Sequence, residues 1–397
     1  MTVGVPKECF VKNEGLYRNI KKKLMESDYL YYCVGAVLLS CLLAGILIPQ
    51  ILLISFRKKL FDVSDERKIH SSTVPRLGGI AFGPVILFSV MFILALNMLL
   101  NKVHIISVSE QDSIQMSLFI CSGILLYLVG IADDLIGVRY RAKFIVQIVC
   151  GIMFVASGLW FSDLFGLLGI SGMPVYVGYP LTVLMVVFFI NSINLIDGID
   201  GLASGLTAVA LLVYGFVFLK VGDFIFALIA FSAFGVLLPF FYYNVFGNVQ
   251  KRKKIFMGDT GSLTIGIIVS AMTLRLMSAD EGLAEMDINP VIVAFTPLIV
   301  PSFDVFRVVM LRFRNHTNLF LPDKNHIHHK LLAAGMNQHS ALISIVSFSL
   351  LLTLSNIALD SYVNINILLV ADVLIFTIAN IIISKFILKR KTSQNKL

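Results

Sequence analysis

The chain has 397 residues, of which 57% are hydrophobic and only 14% are charged. Because soluble proteins carry about a quarter charged residues, this composition excludes a water-soluble domain, as well as a disordered, fibrous or disulfide-scaffold protein. The five cysteines form no CxxC pair, which excludes a zinc or redox framework. A net charge of +8 is compatible with nucleic-acid binding, but in a membrane protein such an excess usually sets topology.

Apolar segments long enough to cross a bilayer recur along the whole chain. A bilayer core of about 30 Å needs roughly 20 helical residues. The sequence predicts an all-α polytopic membrane protein with about eleven transmembrane helices, ten being the alternative. The predicted spans lie near 31–56, 81–100, 116–132, 144–161, 179–196, 203–219, 224–243, 261–277, 290–311, 341–359 and 365–388. We expect a polar N-terminal segment (1–30), a multi-span membrane domain (31–388) and a basic tail (389–397).

Lysine and arginine are distributed unevenly between alternate loops. One set of loops holds 23 of these cations, whereas the opposite set holds only Lys102, Lys220 and Arg275. The positive-inside rule predicts that the first set and the C-terminus are cytoplasmic. Residues 1–30 disagree, since they hold six cations but would lie outside; dilution by four acids and a start at Met25 are both open explanations.

The polar motifs all fall at the predicted cytoplasmic ends of spans or in cytoplasmic loops. A transporter places its polar groups near the midplane and between internal repeats, and neither pattern is visible. The cations sort by membrane side, so a nucleic-acid binder is not expected. We therefore predict a site on the cytoplasmic surface of the membrane.

The first motif is DERKIH at 65–70, followed by PRLGG at 75–79. Cations beside a Gly-Gly pair suit phosphate, through charge and exposed backbone N–H groups. A solvated loop that only sets topology is the alternative, and this motif alone favours it.

The second motif is Asp133-Asp134, followed by Arg139, Arg141 and Lys143. Adjacent carboxylates at a lipid boundary repel each other unless a cation or a metal shares the site. A helix end with counter-charges is an equally good interpretation of this motif alone.

The third motif is NSINLIDGIDGL at 191–202. Its polar residues Asn191, Asn194, Asp197 and Asp200 recur every three positions. On an ideal helix each step of three turns the side-chain direction by about 60°, so the four residues cannot share one face. Gly198 and Gly201 predict a helix break that lets Asn194, Asp197 and Asp200 converge. An EF-hand is excluded because the twelve-residue loop with its final Glu is missing. A purely structural role is disfavoured in so apolar a segment.

The fourth motif is FMGDTGS at 256–262, after the run KRKK. An Asp in a Gly-flanked turn that opens a helix can offer a carboxylate and backbone donors to a metal-bound diphosphate. A simple N-cap explains Asp259 equally well in isolation.

The fifth motif is HIHHK at 326–330. Zinc is disfavoured because no cysteine or further histidine-rich segment accompanies the three histidines. Phosphate binding or proton transfer fits better beside Lys330. Asp304, in a predicted span, is a further buried acid and is expected to pair with Arg307 one turn later.

Taken in this order, the motifs resemble those of the polyprenyl-phosphate N-acetylhexosamine-1-phosphate transferases of glycosyltransferase family 4. The resemblance covers about residues 45–335 and is to the bacterial branch that starts O-antigen, common antigen and teichoic acid assembly. It rests on the IADD pair, the NxxNxxDGxDGL motif, the FMGDxGS turn and the HIHH loop. The related phospho-muramoyl-pentapeptide transferase typically has three consecutive histidines, so HIHH favours a simple N-acetylhexosamine donor.

The resemblance implies a reaction in which undecaprenyl (polyprenyl) phosphate and a UDP-N-acetylhexosamine give a sugar-diphosphoryl lipid and UMP. It implies Mg²⁺ as cofactor, with Mn²⁺ as a possible substitute, and the lipid bilayer and a homodimer as further partners. N-acetylglucosamine is the favoured sugar; its galactosamine epimer and modified hexosamines stay open. The runner-up functions are the phospho-muramoyl-pentapeptide transferase and, in another class, an ion-coupled transporter.

The resemblance also assigns roles to residues. Asp259 would be the principal metal ligand, with Asn194 second; Lys143 would touch the diphosphate, and Asp197 and Asp200 would line the nucleotide site. Asp133 and Asp134 would face the lipid phosphate. His326, His328 and His329 would contact the donor phosphates. The remaining substrate contacts would come from Asn191 of the third motif and from Asp65, Lys68 and His70 of the first loop.

Two routes for the transfer stay open at this point. Direct attack by the lipid phosphate is favoured because that phosphate, with a second pKa near 6, is largely ionised at neutral pH and needs no strong base. A covalent aspartyl-phosphate through Asp133 or Asp134 is the alternative.

Overall fold

In a computed structural model, the described residues form a bundle of long helices joined by short connections. The structure describes residues 7–60, 74–100, 109–278, 283, 286, 288–316 and 325–394, with side chains from Tyr29 on. Throughout these ranges every regular element is helical. The helices are α1 Lys7–Lys58, α2 Phe82–Leu99, α3 Glu110–Ile136, α4 Tyr140–Ala156, α5 Val175–Ile196, α6 Leu202–Val221, α7 Phe224–Val245, α8 Gly258–Ser278, α9 Pro290–Phe295, α10 Ile299–Arg314, α11 Ile327–Ala333, α12 Gln338–Leu359 and α13 Ile365–Gln394. Short 3₁₀ turns occupy Gly78–Ala81, Leu167–Gly169 and Thr296–Leu298.

Ten segments within the described ranges have the length and apolar composition needed to cross a membrane. One of them, Pro290–Arg314, combines α9 and α10 through the intervening 3₁₀ turn. Helix α4, where the eleventh span was predicted, has 17 residues and is not among these ten, so within the described ranges the count matches the predicted alternative of ten. The predicted fold class, an all-α polytopic membrane protein, is confirmed. Helix α1 begins at Lys7, so the backbone of the predicted polar segment continues into the first span.

The short turn predicted between the sixth and seventh spans is present. Gly222, with φ of +84°, ends α6 in the left-handed region that favours glycine, and the Asp223 side chain caps α7. Asp223 also forms an ion pair with Arg275 of α8, with Oδ2 and Nε 2.6 Å apart. This pair ties α7 to the far end of α8.

Helix α8 lies at the centre of the bundle, packed against α3, α5, α9 and the first 3₁₀ turn. Small residues allow this close approach: a Cβ added at Gly266 would lie 3.0 Å from the Cα of Ile190 in α5. Nearly all residues of α8 are buried, although its mean hydropathy of 1.4 is the lowest of the ten candidate spans. The helix that carries Asp259 is therefore surrounded by protein instead of lipid.

Candidate active site

A cavity of about 550 Å³ lies at one end of the bundle, where the α5–α6 turn meets the start of α8. Its lining includes Asp134, Asn194, Asp197, Asp200 and Asp259. The fold thus brings together carboxylates from three motifs, the outer two of which, at Asp134 and Asp259, are 125 residues apart in sequence.

The α5–α6 turn breaks the helix where the sequence predicts it. Helix α5 ends at Ile196 and α6 begins at Leu202. Gly201 has φ of +80°, and its N–H donates to the Asn244 side-chain oxygen of α7 at 2.6 Å. The break turns the acidic end of the third motif into the cavity, as predicted.

Asp134 connects α3 to the first turn of α8. Its carboxylate accepts hydrogen bonds from the backbone N–H groups of Asp259 and Thr260, both at 2.8 Å, and from the Thr260 hydroxyl at 2.5 Å. A negative charge here also interacts favourably with the helix dipole. The alternative in which Asp259 caps its own helix is therefore wrong, since the capping carboxylate comes from α3. The same bonds occupy the N–H groups that the sequence predicted to be available to a diphosphate.

Lys143 bridges two carboxylates. Its Nζ lies 2.8 Å from Oδ2 of Asp133 and 3.3 Å from Oδ2 of Asp259. The other Asp259 oxygen accepts a hydrogen bond from the Asn194 amide, which also donates to the Ser262 hydroxyl at 2.8 Å. Two carboxylates thus share one ammonium group, which leaves local negative charge for a further cation.

The donor set around Asp259 fits a magnesium ion that is completed by its substrate. Mg²⁺ usually takes one or two carboxylates and fills its remaining positions with water and substrate phosphates. The Asp259 side chain is 27% exposed and lines the cavity. Within the ranges that the structure describes, no three Asp, Glu, His or Cys side chains form a closed metal site. An all-protein cage is therefore not the arrangement here.

Asp200 lies beside a second cation, Lys254. The Nζ of Lys254 is 2.6 Å from Oδ2 of Asp200. Burial and the charges of Asp259, Asp200 and Asp134 raise the pKa of Asp197 to about 7, against the opposing effect of Arg76. Asp197 therefore carries a proton for part of the time near neutrality, before any substrate binds.

The start of the histidine loop (residues 326–330) is held by a buried aspartate, Asp304. Asp304 of α10 is fully buried and accepts hydrogen bonds from Arg307 at 2.8 Å and from the backbone N–H of Ile327 at 3.0 Å. Its second oxygen lies 2.8 Å from Nδ1 of His326. The predicted Asp304–Arg307 pair is confirmed, and it fixes the start of α11.

His328 lies directly behind the α5–α6 turn. It is 1% exposed, and neither ring nitrogen has a hydrogen-bond partner in the described part of the chain. A Cβ added at Gly198 would overlap its ring. Burial and the neighbouring His329 and His326 lower the pKa of His328 to about 4, so the ring is neutral at pH 7. The histidine loop therefore supports the cavity wall. His329 is less buried than His326 and His328.

Asn191 and the Gly78-Gly79 pair, which the sequence predicted to contact substrate, make hydrogen bonds within the protein instead. Asn191 donates to the Gln147 side chain of α4 at 2.6 Å and does not line the cavity. The N–H groups of Gly78 and Gly79 donate to the carbonyls of Phe256 and Met257, so the expectation that they bind phosphate is wrong. Asp65, Lys68 and His70 lie outside the described residues.

Sequence reasoning missed several polar residues. Asn244, Ser262 and Gln338 line the cavity, and so does Lys254, the last residue of KRKK, two positions before the start of FMGD. Asp372, a lone acid in the apolar α13, is buried and accepts a hydrogen bond from Asn356 at 2.7 Å. Its position in an otherwise apolar span was the available signal.

Comparison with known proteins gives a consistent result. The model of the family described as glycosyl transferase family 4 matches residues 116–277, which contain the second, third and fourth motifs. A probable undecaprenyl-phosphate N-acetylglucosaminyl 1-phosphate transferase of Bacillus subtilis is 31% identical over 336 residues, covering 83% of this chain and 85% of its own.

Two further relatives come from other bacteria. The undecaprenyl-phosphate alpha-N-acetylglucosaminyl 1-phosphate transferase of Yersinia pestis is 30% identical over 74% of this chain and 75% of its own. The decaprenyl-phosphate N-acetylglucosaminephosphotransferase of Mycobacterium leprae is 29% identical over 70% and 72%. The family match falls on the helices that build the cavity, and the relatives align over most of their length. The chain therefore belongs to glycosyl transferase family 4, among the polyprenyl-phosphate N-acetylglucosaminyl 1-phosphate transferases.

Proposed function

We propose that this protein transfers N-acetylglucosamine-1-phosphate from UDP-N-acetylglucosamine to undecaprenyl phosphate and releases UMP. The observation that carries the proposal is the cavity at the end of the bundle, which carboxylates from α3, the α5–α6 turn and α8 line together, with Lys143 joining Asp133 to Asp259. The reaction would be the first membrane step of a cell-surface polysaccharide, with the cavity on the cytoplasmic side of the bacterial inner membrane. The acceptor and the sugar follow from the names of the relatives.

The residues around the cavity suit two phosphate-bearing substrates. Asp259, with Asn194 beside it, would hold Mg²⁺, and Mn²⁺ is a possible substitute. When bound, the ion would supply positive charge to the phosphates that the reaction brings together. Lys143 would contact the diphosphate, and Asp197, Asp200 and the Lys254 that pairs with Asp200 would lie at the nucleotide.

Direct attack is the route that the hydrogen bonds favour. An oxygen of the lipid phosphate attacks the sugar-linked phosphorus, a new P–O–P bond forms, and the bond to the UMP oxygen breaks. Asp134 has both oxygens bonded to the α8 backbone, and the two Asp133 oxygens accept from Lys143 and from the backbone N–H of Val138. Because their oxygens are engaged in this way, neither is a well-placed nucleophile for the covalent route. Positioning and charge stabilisation are then the main contributions of the protein.

The test is a reconstituted reaction. Detergent-purified protein is supplied with undecaprenyl phosphate, Mg²⁺ and UDP-N-acetylglucosamine, and UMP and the lipid product are followed by mass spectrometry. We expect UMP together with a sugar-diphosphoryl lipid. Release of UDP would contradict the proposal, because it would mean that the sugar moves without its phosphate.

Parallel reactions address the finer choices. UDP-N-acetylgalactosamine replaces the donor in one reaction and decaprenyl phosphate replaces the acceptor in another, since the Mycobacterium leprae relative is named for that lipid. The muramoyl-pentapeptide donor serves as the comparison for the runner-up, and we expect it to be inactive. The predicted homodimer is measured separately, by light scattering of the same preparation.

A further inference from the structure

A second cavity lies between the end of α1 and the connection from α7 to α8. Its volume is about 620 Å³, and it shares no lining residue with the catalytic cavity. One wall is apolar and comes mainly from α1, and the other wall carries cations. The lining residues are Pro49, Leu52, Leu53, Phe56, Arg57, Tyr243, Lys251, Arg252 and Lys253.

The four cations of this cavity are exposed. Arg57, Lys251, Arg252 and Lys253 form no ion pair with any acid in the part of the chain that the structure describes. Like charges held close together repel each other, so an anion placed among them is favoured electrostatically.

The backbone of the connection holds its three consecutive cations in a fixed turn. Arg252 has φ of +54°, an uncommon conformation for a residue other than glycine. The turn is closed by hydrogen bonds from the N–H of Arg252 to the carbonyl of Val249 and from the N–H of Lys253 to that of Asn248, each at 3.0 Å. The Arg252 guanidinium also lies over the Phe56 ring, 5.4 Å from its centroid, and so joins the turn to α1.

Along α1 an apolar surface is followed by a cation, which matches the order of acyl chains and acidic headgroup in a phospholipid. Pro49, Leu52 and Leu53 give an apolar surface in a helix that is long and apolar enough to span a bilayer, and Leu53 is 42% exposed. Arg57 follows one turn later, at the end of the helix. Acyl chains would therefore lie along the apolar wall while an acidic headgroup reaches the cations.

We propose that an anionic glycerophospholipid binds in this cavity, with its phosphate among Arg57, Lys251, Arg252 and Lys253. Clusters of Lys and Arg at the end of a transmembrane helix attract acidic lipids electrostatically. The site is separate from the reacting groups, although Lys254, the next residue, pairs with Asp200 in the catalytic cavity. The bound lipid is thus a structural ligand of the connection that leads to Asp259.

The test measures binding without turnover, so its result does not depend on the proposed reaction. Native mass spectrometry of the detergent-purified protein compares phosphatidylglycerol with phosphatidylcholine of the same acyl chains. We expect selective retention of phosphatidylglycerol, at least about tenfold weaker in the triple variant Lys251→Gln/Arg252→Gln/Lys253→Gln. The matched control removes three exposed cations of α10 and α13, Arg314→Gln/Lys385→Gln/Arg390→Gln, and should bind as the wild type does.

Three results would overturn the proposal. Equal retention of the two lipids would mean that the headgroup is not recognised, and unchanged binding in the first triple variant would place the lipid elsewhere. Displacement by millimolar inorganic phosphate would indicate a simple anion site. Added undecaprenyl phosphate should leave the bound phosphatidylglycerol in place; one-for-one exchange would instead identify this cavity as a site for the acceptor.

Discussion

The carboxylate of Asp134, near the end of α3, accepts a hydrogen bond from the backbone N–H of Asp259, 125 residues later in the chain. Thr260 adds two more hydrogen bonds to the same carboxylate. The position of Asp259, which we assign to Mg²⁺, is therefore set by a different acid. Both aspartates line the cavity, but only the side chain of Asp134 holds the start of α8.

Replacing Asp134 should reduce stability as well as turnover. Asp134→Asn removes the charge and presents an NH₂ group to the α8 donors, so we expect a loss of about 1.5–3 kcal/mol, because charge-assisted hydrogen bonds contribute that much. Thr260→Val removes only one of the three bonds and should have a smaller effect. The measurement is the thermal midpoint in detergent together with UMP release. A wild-type midpoint for Asp134→Asn would show that the carboxylate is not holding α8.

Replacing Asp259 should abolish activity without unfolding the protein. Asp259→Asn keeps the shape of the side chain but removes the charge that we assign to Mg²⁺, so transfer should fall by about a hundredfold or more, as when an electrostatic contact to the reacting group is lost. Glu110→Gln, an exposed acid at the other end of α3, is the matched control and should be fully active. Activity and Mg²⁺ dependence are measured for both variants. Retained activity would remove Asp259 from the metal site.

Acidification should destabilise the protein through His328. Its pKa is about 4 in the folded protein, against an ordinary value of 6.5. The unfolded chain therefore takes up this proton first, and the stability present above pH 6.5 is lost as the pH falls towards 4, by about 1.4 kcal/mol per pH unit.

The thermal midpoint, measured in detergent from pH 7.5 to 5, tests this dependence. His328→Gln should flatten the decline, whereas His339→Gln, at an exposed histidine, should leave it unchanged. If His328→Gln and the wild type show parallel declines, other groups must cause the pH dependence.

Gly198 and His328 should be energetically coupled. A side chain at Gly198 would overlap the His328 ring, so Gly198→Ala should cost about 1–3 kcal/mol, as overpacking usually does. In a His328→Ala background most of that cost should disappear, giving a coupling energy of at least about 1 kcal/mol. Gly123→Ala is the control, because a Cβ there meets no atom within 4 Å. Additive effects in the double variant would mean that the two residues do not share the contact.

Local patterns predicted the parts of the site that depend on neighbouring residues in sequence. The break at Gly198 and Gly201 follows from two glycines in an apolar run, and the Asp304–Arg307 pair follows from helical spacing. The positions of the spans follow from hydropathy for the same reason. Each of these features can be read within one or two helical turns.

Contacts between distant helices could not be predicted in this way. Nothing near Asp134 indicates that its partner is the backbone of Asp259, and nothing near Gly79 indicates that a Cβ there would collide with the backbone of Gly261. Asn191 shares the spacing of the third motif but packs against Gln147, because the side of α5 that faces α4 is set by packing. Such residues are of the types that occur in binding sites, but here they make structural contacts.

The central position of α8 has a consequence for how the protein reaches the membrane. Since nearly every residue of α8 faces protein, the helix accommodates hydroxyl groups that lipid would disfavour, and its mean hydropathy is accordingly low. A helix of this composition gains little free energy from entering a bilayer alone. Helices α3 and α5, which are synthesised earlier and pack on both sides of it, supply the protein surface that it needs. A chain that lacks either of them would therefore fail at insertion of α8, before any question of catalysis arises.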